Sequence, residues 1–184
     1  VLGTDLAPEA AAQSGWVETN QHAFNKQAMN ERGLCPADVF ERNVDFRFMN
    51  MNEIPDGLGQ FDFNWSACAF EHLGSIAQGL QFIRNAARLL APGGVAVHTT
   101  ELNCSSNDET LDNAGTVLFR RRDFEQLARD LTREGYEIEL NFNLGDQPAD
   151  HFIDVPPYLG DAHLKVQLEQ WASTSFGLIV RRPH

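Results

Sequence analysis

Polar side chains follow two predicted strands within the first 51 residues. Asp5 ends the apolar run 1–4, and a carboxylate at a strand end can accept hydrogen bonds from both hydroxyls of a ribose. Asn50 and Met51 follow the predicted strand 44–49, where the amide could bind an adenine edge and the thioether could pack on its face. Plainer interpretations stay open: a helix-capping acid at Asp5, and a turn residue beside a core residue at Asn50 and Met51.

Two residues that could do acid–base chemistry come shortly after the predicted strand 61–67. Glu71 and His72 either face a bound ligand or begin a helix as an acid beside a half-buried histidine. Ser66 lies near the carboxyl end of that strand, and in open α/β sheets ligands bind outside the carboxyl ends of the strands. The position of all three residues therefore makes them candidates for a ligand site.

A third group of candidates lies in or just after a predicted strand that begins at Val95 and runs to about residue 100. Glu101 and Asn103 are expected just past its end, where a side chain can reach a ligand. His98 lies inside the strand, and we expect its ring in the core rather than in a site.

Residues 144–162 form a long stretch without a regular pattern. It carries three prolines together with charged and aromatic residues, including His151, Asp154 and Tyr158. Such stretches often act as lids or substrate walls, and the alternative is a solvated loop.

Composition narrows the class of protein. The chain has 184 residues and a mass of 20.6 kDa, which fits one domain. Its formal net charge of -12 would repel nucleic acid and anionic membranes, and it favours neutral or cationic ligands. No apolar run approaches the roughly 20 residues of a membrane-spanning helix, and no signal-peptide pattern is present. Three cysteines without a CxxC pair predict a reducing, cytoplasmic setting without a zinc site.

The elements that must position these residues alternate between strands and helices. Ser75 is a candidate N-cap for a helix through Leu90, because apolar residues recur there every three or four positions. Asp123 and Gln126 form a capping-box pattern for a helix through Glu134. This alternation predicts an α/β fold with a mainly parallel sheet. The predicted strands are 1–6, 44–49, 61–67, 95–100, 136–142 and 175–180.

Three short motifs occur in order along the first half of the chain: VLGTDL at 1–6, FDFNWSACAFEHL at 61–73 and ARLLAPGGV at 87–95. Together they resemble class I S-adenosylmethionine-dependent methyltransferases. The resemblance is to the methyltransferase-domain group in which Glu-His follows the fourth strand and a Leu-x-Pro-Gly-Gly turn precedes the fifth. It covers about residues 1–100, and the tail fits the family's final strand hairpin.

The resemblance implies a Rossmann-like three-layer sandwich whose mainly parallel sheet has an antiparallel last strand. The family's glycine-rich loop has no counterpart here, so the chain is expected to begin at the family's second strand. We therefore expect a single methyltransferase domain over 1–184 that is incomplete at its N-terminus. The family's first strand would lie between the strand ending at Asp5 and the strand containing Ser66, so these two strands should not pair with each other.

The resemblance also implies S-adenosylmethionine as the cofactor and a small molecule or sugar as the methyl acceptor, with in-line transfer of the methyl group. The protein's main tasks are then to align donor and acceptor and to exclude water. An acceptor hydroxyl would need a general base, and Glu101, His72 or His151 could serve. The cofactor is expected along the strand ends, at Asp5, Leu6, Asn50, Met51 and Ser66.

The chain departs from the family at two further positions. Asn50 stands where the family often has Asp, which weakens the expected adenine contact. Some relatives bind a divalent metal through Glu-x-x-Glu-His, but Cys68 occupies the first position here, so we expect no metal site of that kind. Two alternatives stay open: a nucleotide-binding Rossmann oxidoreductase, and a noncatalytic remnant of the methyltransferase fold. The Pro-Gly-Gly turn and the Glu-His pair favour the methyltransferase.

Overall fold

The computed structural model describes residues 1–19, 21–160 and 163–184. Its internal contacts divide the chain into two compact units, Val1–Pro55 and Asp56–His184. Within the described residues, no helix is both long enough and apolar enough to cross a bilayer. A single domain over 1–184 stays a prediction.

The first unit contains one pair of parallel strands and short helices. Strand β1 (Leu2–Asp5) pairs with β2 (Asp45–Phe48), and Asp5 lies opposite Phe48 at the carboxyl ends. Proline stands at the start of the first helix, because its missing N–H would have no intrahelical partner there. The helices of this unit are α1 (Pro8–Gln13), a 3₁₀ helix (Gln27–Asn30) and α2 (Ala37–Asn43).

The second unit is built on a five-stranded sheet. Four strands follow the order β3-β4-β7-β5, and β6 pairs with another part of β7. The strands β3 and β4 are parallel, whereas β7 is antiparallel to β4, β5 and β6. The predicted antiparallel last strand is therefore confirmed. The strands are β3 (Phe61–Ala67), β4 (Leu90–Asn103), β5 (Glu137–Leu140), β6 (Val166–Leu168) and β7 (Trp171–Arg181).

Strand β4 is longer at both ends than the predicted strand 95–100. It starts at Leu90, and its pairing with β3 shifts register near Phe61, so the Pro-Gly-Gly segment lies inside the irregular start of the strand. A Cβ on Gly94 would lie 2.8 Å from the Ala91 carbonyl oxygen and 3.0 Å from that of Phe61. Glycine is required there because these backbones approach so closely.

The expectation that Glu101 and Asn103 lie just past the end of this strand is wrong. Both residues belong to β4, because the whole carboxyl half of β4 has backbone partners on β7. Ser175 lies opposite Glu101, and Ser173 lies opposite Asn103. A long partner strand extends β4 beyond the point where its own apolar pattern ends.

The two long helices of this unit are α3 (Ile76–Arg88) and α4 (Arg121–Arg133). Ser75 caps α3 as predicted, because its Oγ accepts a hydrogen bond from the backbone N–H of Gln78 at 3.2 Å. The helix ends two residues before the predicted Leu90, because the chain has already entered β4 there.

Helix α4 starts earlier than the sequence pattern indicates. Arg120 is the N-cap, and Asp123 is the third helical residue, whose carboxylate accepts from the Arg120 backbone N–H at 2.8 Å. Asp123 also forms two hydrogen bonds with the Arg120 guanidinium. The predicted capping box with Asp123 as the cap is therefore wrong, although the aspartate does stabilise this helix end.

Aromatic rings fill the core of the second unit. Phe70, Phe119, Phe124 and Phe176 contact one another in turn at centroid distances of 5.0–5.2 Å, and Phe142 stacks on Phe176 at 4.9 Å. The first four are buried, and such ring pairs add to the stability that burial itself supplies. The backbone of Phe119 hydrogen-bonds Glu101 and Asn103, which connects this aromatic core to the carboxyl end of β4.

Within the described residues, β1 pairs only with β2, and β3 pairs only with β4. The strand ending at Asp5 and the strand containing Ser66 belong to different units, and the expectation that they do not pair stays a prediction. A further strand between them stays a prediction.

Candidate functional site

The Asp5 carboxylate is held in place by two backbone N–H groups. Its Oδ1 accepts from Leu6 and its Oδ2 from Ala23, each at 2.8 Å. It does not cap α1, since that helix begins after Ala7 without a side-chain cap. The carboxylate is 29% exposed, and each oxygen keeps acceptor capacity for another donor. These features fit the two hydroxyls of a cofactor ribose.

His22 supports this carboxylate from the loop that follows α1. Its Nε2 hydrogen-bonds the Leu6 carbonyl oxygen at 2.8 Å and lies 3.9 Å from Asp5 Oδ1. Sequence reasoning missed the contributions of His22 and Ala23, because no local pattern links them to residue 5.

Asn50 and Met51 lie just beyond the carboxyl end of β2. Asn50 is exposed and adopts a turn role, because its Oδ1 accepts from the Asn52 N–H at 3.0 Å and its carbonyl accepts from Glu53 at 2.9 Å. Met51 is half-buried, so it is not the core residue of the plainer interpretation. Contact of either residue with adenine stays a prediction.

Ser66 and His98 form a hydrogen-bonded pair across β3 and β4, with 2.8 Å between Oγ and Nδ1. His98 is 1% exposed, as expected for a core residue, and it lies edge-on to the rings of Phe70 and Phe82. Burial lowers the pKa of His98 to about 4, so the ring is neutral near pH 7. Its Nε2 has no hydrogen-bond partner in the described part of the chain.

Glu71 lies in a 3₁₀ helix, Phe70–His72, and is 1% exposed. Its Oε2 accepts from the Thr100 hydroxyl at 2.8 Å, and its Oε1 lies 4.0 Å from His72 Nε2. Burial raises the pKa of Glu71, and the nearby Glu101 carboxylate raises it further, against the opposing effects of its hydrogen bonds and of His72. Glu71 therefore points inward, and it contacts β4 through Thr100.

Cys68, Glu71 and Glu101 converge at the carboxyl ends of β3 and β4. Their possible ligand atoms all lie within 4.8 Å of one another. A thiolate and two carboxylates are groups that divalent ions bind in proteins, so these residues could hold a metal. Cys68 stands where the metal motif of some relatives has a glutamate, and the spacing Cys68-x-x-Glu71 is the sequence signal for this cluster. The expectation of no metal site stays untested.

The backbone and neighbouring hydroxyls organise this cluster. Cys68 has a φ of 45°, and its N–H lies 3.0 Å from the Thr99 carbonyl oxygen and 3.1 Å from the Thr99 hydroxyl. On the other side, Glu101 Oε2 accepts from the Ser173 hydroxyl at 2.5 Å. The cluster therefore has a defined geometry rather than that of a flexible surface group.

Of the three candidate bases, His72 and Glu101 lie near Glu71, whereas His151 lies elsewhere in the second unit. His72 is 28% exposed, and its Nδ1 hydrogen-bonds the Gly115 carbonyl at 2.9 Å. Both His72 and Glu101 lie close enough to influence the charge of Glu71. His151 is exposed at the end of the short helix α5 (Pro148–His151), and no described contact links it to Glu101 or His72.

The stretch 144–162 is organised around Asp154, which is 2% exposed; its last two residues lie outside the described ranges. The Asp154 carboxylate accepts from the Leu159 N–H at 3.2 Å and lies 3.2 Å from His163 Nδ1. Tyr158 donates to the Gln167 carbonyl at 2.7 Å. Apart from Asp154, residues 151–160 are exposed, so the interpretation as a solvated loop also stays open. A role as a lid or substrate wall stays a prediction.

Comparison with known proteins identifies the family. A model described as "Methyltransferase domain" matches residues 1–98 of the 184, which include the first unit together with β3, α3 and part of β4. No curated protein matches the sequence.

Solved structures share the fold at low sequence identity. TehB from Haemophilus influenzae is 16% identical with a TM-score of 0.53, and the match covers 100% of this chain and 50% of that one. A possible exported protein from Bordetella parapertussis is 14% identical with a TM-score of 0.53, covering 100% and 53%. A putative sarcosine dimethylglycine methyltransferase from Galdieria sulphuraria is 16% identical with a TM-score of 0.52, covering 99% and 69%.

The chain spans about half the length of the first two of these proteins. At such identities the structural likeness establishes the fold alone, whereas the family model matches more than half of the chain. The match includes the strand ending at Asp5 and the Glu71-His72 pair, and it favours the methyltransferase over the oxidoreductase. The chain belongs to the methyltransferase-domain family of class I S-adenosylmethionine-dependent methyltransferases.

Proposed function

We propose that this protein transfers a methyl group from S-adenosylmethionine to a small molecule or a sugar-type acceptor. The observation that carries the proposal is the Asp5 carboxylate, fixed by two backbone N–H groups and still partly exposed at the end of β1. Family membership supports the same reaction. When bound, the cofactor supplies an electrophilic methyl group on a sulfonium, so the chain needs no covalent nucleophile.

The residues proposed to bind the cofactor have distinct tasks. Asp5 accepts hydrogen bonds from the ribose hydroxyls, and the backbone of Leu6 follows it at the strand end. Asn50 and Met51 contact the adenine through an amide and a thioether. Ser66 belongs to the second unit, where His98 fixes its hydroxyl at 2.8 Å.

Glu101 is the proposed general base among the three candidates. It is half-buried at the carboxyl end of β4, and the Ser173 hydroxyl holds its Oε2, which leaves Oε1 to take a proton from the acceptor. The neighbouring Glu71 has a raised pKa and binds its proton more readily, so the two carboxyl groups need not both be ionised. His72 is the second candidate. His151 is the third, because no described contact places it beside the other two.

Cofactor affinity of an Asp5→Asn variant tests the proposal. Loss of a carboxylate that binds the ribose should weaken S-adenosylmethionine binding about tenfold or more, measured by titration calorimetry. Asp38→Asn is the matched control, because it removes the same charge from an aspartate that is 76% exposed on α2. Thermal melting establishes that both variants are folded. Unchanged affinity in a folded Asp5→Asn protein would rule out the ribose role.

A further inference from the structure

A pocket of about 270 Å³ opens beside the carboxyl end of β4. Its walls are residues 102–107, which include the end of β4 and the loop after it, together with Arg121, Phe142 and Leu144. All of these residues belong to the second unit. The apolar part of the wall is formed by Leu102, Phe142 and Leu144, so the pocket offers both an apolar surface and a polar one.

The polar wall presents free hydrogen-bond donors beside oxygens that each already accept at least one backbone N–H. Ser105 Oγ accepts from the Ala172 N–H, and Ser106 Oγ accepts from the backbone N–H groups of the two residues 108 and 109. Asn107 Oδ1 accepts from the Arg122 N–H at 2.7 Å. Within the described residues, the two hydroxyl protons and the Asn107 amide N–H groups have no acceptor. These groups can donate to a ligand.

Arg121 adds further donors and a positive charge. Its guanidinium lies over the Phe142 ring, with 4.8 Å between Cζ and the ring centroid, while its Nε donates to Glu125 at 2.7 Å. In the described part of the chain its terminal Nη groups make no hydrogen bond, and the side chain is 60% exposed. The ring and Glu125 thus hold the guanidinium at the pocket wall while leaving two amino groups for a ligand.

Free hydrogen-bond donors beside a guanidinium favour a ligand group that is anionic and only accepts. Among the described lining residues, Arg121 is the one with a full charge, and Glu125 pairs with its Nε. The chain's net charge of -12 opposes anion binding in general, so a carboxylate depends on the local contacts with Arg121 and the neighbouring donors. We propose that this pocket binds the carboxylate of a small organic acid whose apolar body packs on Phe142 and Leu144. Identifying that acid as the methyl acceptor rests on the proposed function, whereas its binding does not.

Titration calorimetry with three small probes tests the pocket without any methyl transfer. Phenylacetate should bind the wild-type chain, and phenylacetamide, which has the same body without the charge, should bind about tenfold more weakly or worse. Inorganic phosphate should displace phenylacetate poorly, since it lacks an apolar body. Equal binding of the amide, or equal binding of phosphate, would overturn the assignment to an organic carboxylate.

Two arginine variants on α4 locate the binding. Arg121→Gln should weaken phenylacetate binding about tenfold, whereas Arg129→Gln, which removes the same charge from the same helix outside the pocket, should not change it. Melting curves check that both variants are folded. Equal affinity of wild-type and folded Arg121→Gln protein would refute the proposal, as would no binding of phenylacetate to the wild type.

The same samples are titrated with S-adenosylmethionine. Phenylacetate binding without cofactor binding would reject the proposed function and leave the pocket in place. Cofactor binding without phenylacetate binding would reject the pocket alone.

Discussion

Acidification should destabilise this protein through His98. Burial lowers the pKa of this ring from 6.5 to about 4, so the folded state keeps it neutral where the unfolded chain already binds a proton. The contribution of His98 to the free energy of unfolding therefore has its full value above pH 6.5, and it decreases as the pH falls toward 4. A shift of about 2.5 pKa units corresponds to about 3 kcal/mol of unfolding free energy. That is a large part of a typical total stability of about 5–15 kcal/mol.

Urea unfolding of wild-type and His98→Gln proteins, repeated from pH 7.5 to pH 4, measures this contribution. Glutamine has no titration in this range, and its amide can still hydrogen-bond Ser66. Glu71 acts in the opposite direction, because its raised pKa gives a stability contribution that is present at low pH and lost as the pH rises. Glu71 is present in both proteins, so its effect cancels in the difference between their unfolding free energies.

As the pH falls from 6.5 to 4, the unfolding free energy of the wild type should decrease by about 3 kcal/mol relative to that of His98→Gln. His151→Gln is the matched control, since this histidine is exposed, and it should follow the wild-type pH profile. Parallel profiles for wild type and His98→Gln would refute the reasoning, because they would mean that the folded protein accepts the proton on His98 as readily as the unfolded chain.

Two further substitutions test the carboxyl pair at the end of β4. Glu71→Gln should raise the unfolding free energy at pH 8 and leave it nearly unchanged at pH 4, because only the ionised glutamate is penalised by burial; urea unfolding at both pH values measures this, and a loss of stability at pH 8 would contradict it. Glu101→Gln should lower kcat by about 10²–10⁴ while S-adenosylmethionine affinity is retained, as expected for a general base. Methyl transfer at saturating cofactor measures it, and an unchanged kcat would exclude Glu101 as the base.

Features that depend on near neighbours in the chain were predicted well from the sequence. The N-cap role of Ser75 was correct, because it depends on a bond within one helical turn. The alternation of strands and helices was also correct. The antiparallel last strand was correct too, but it was implied by the family resemblance rather than by a local pattern. The apolar strand around His98 was enough to predict that its ring lies in the core.

Features that depend on distant partners were decided by the tertiary structure. Pairing with β7 places Glu101 and Asn103 inside β4, and that pairing cannot be read from residues 95–103 alone. Likewise, Ala23 reaches Asp5 only because the chain folds back after α1.

The chemistry of the second unit follows the same division. The sequence indicates that Glu71 and Glu101 each follow or end a strand, but only the parallel pairing of β3 with β4 brings their carboxylates near Cys68. Burial then raises the pKa of Glu71, an effect that depends on every element packed around it. Local bonding preferences are encoded in short runs of sequence, whereas distances between side chains and their solvent exposure arise only when separate runs pack together.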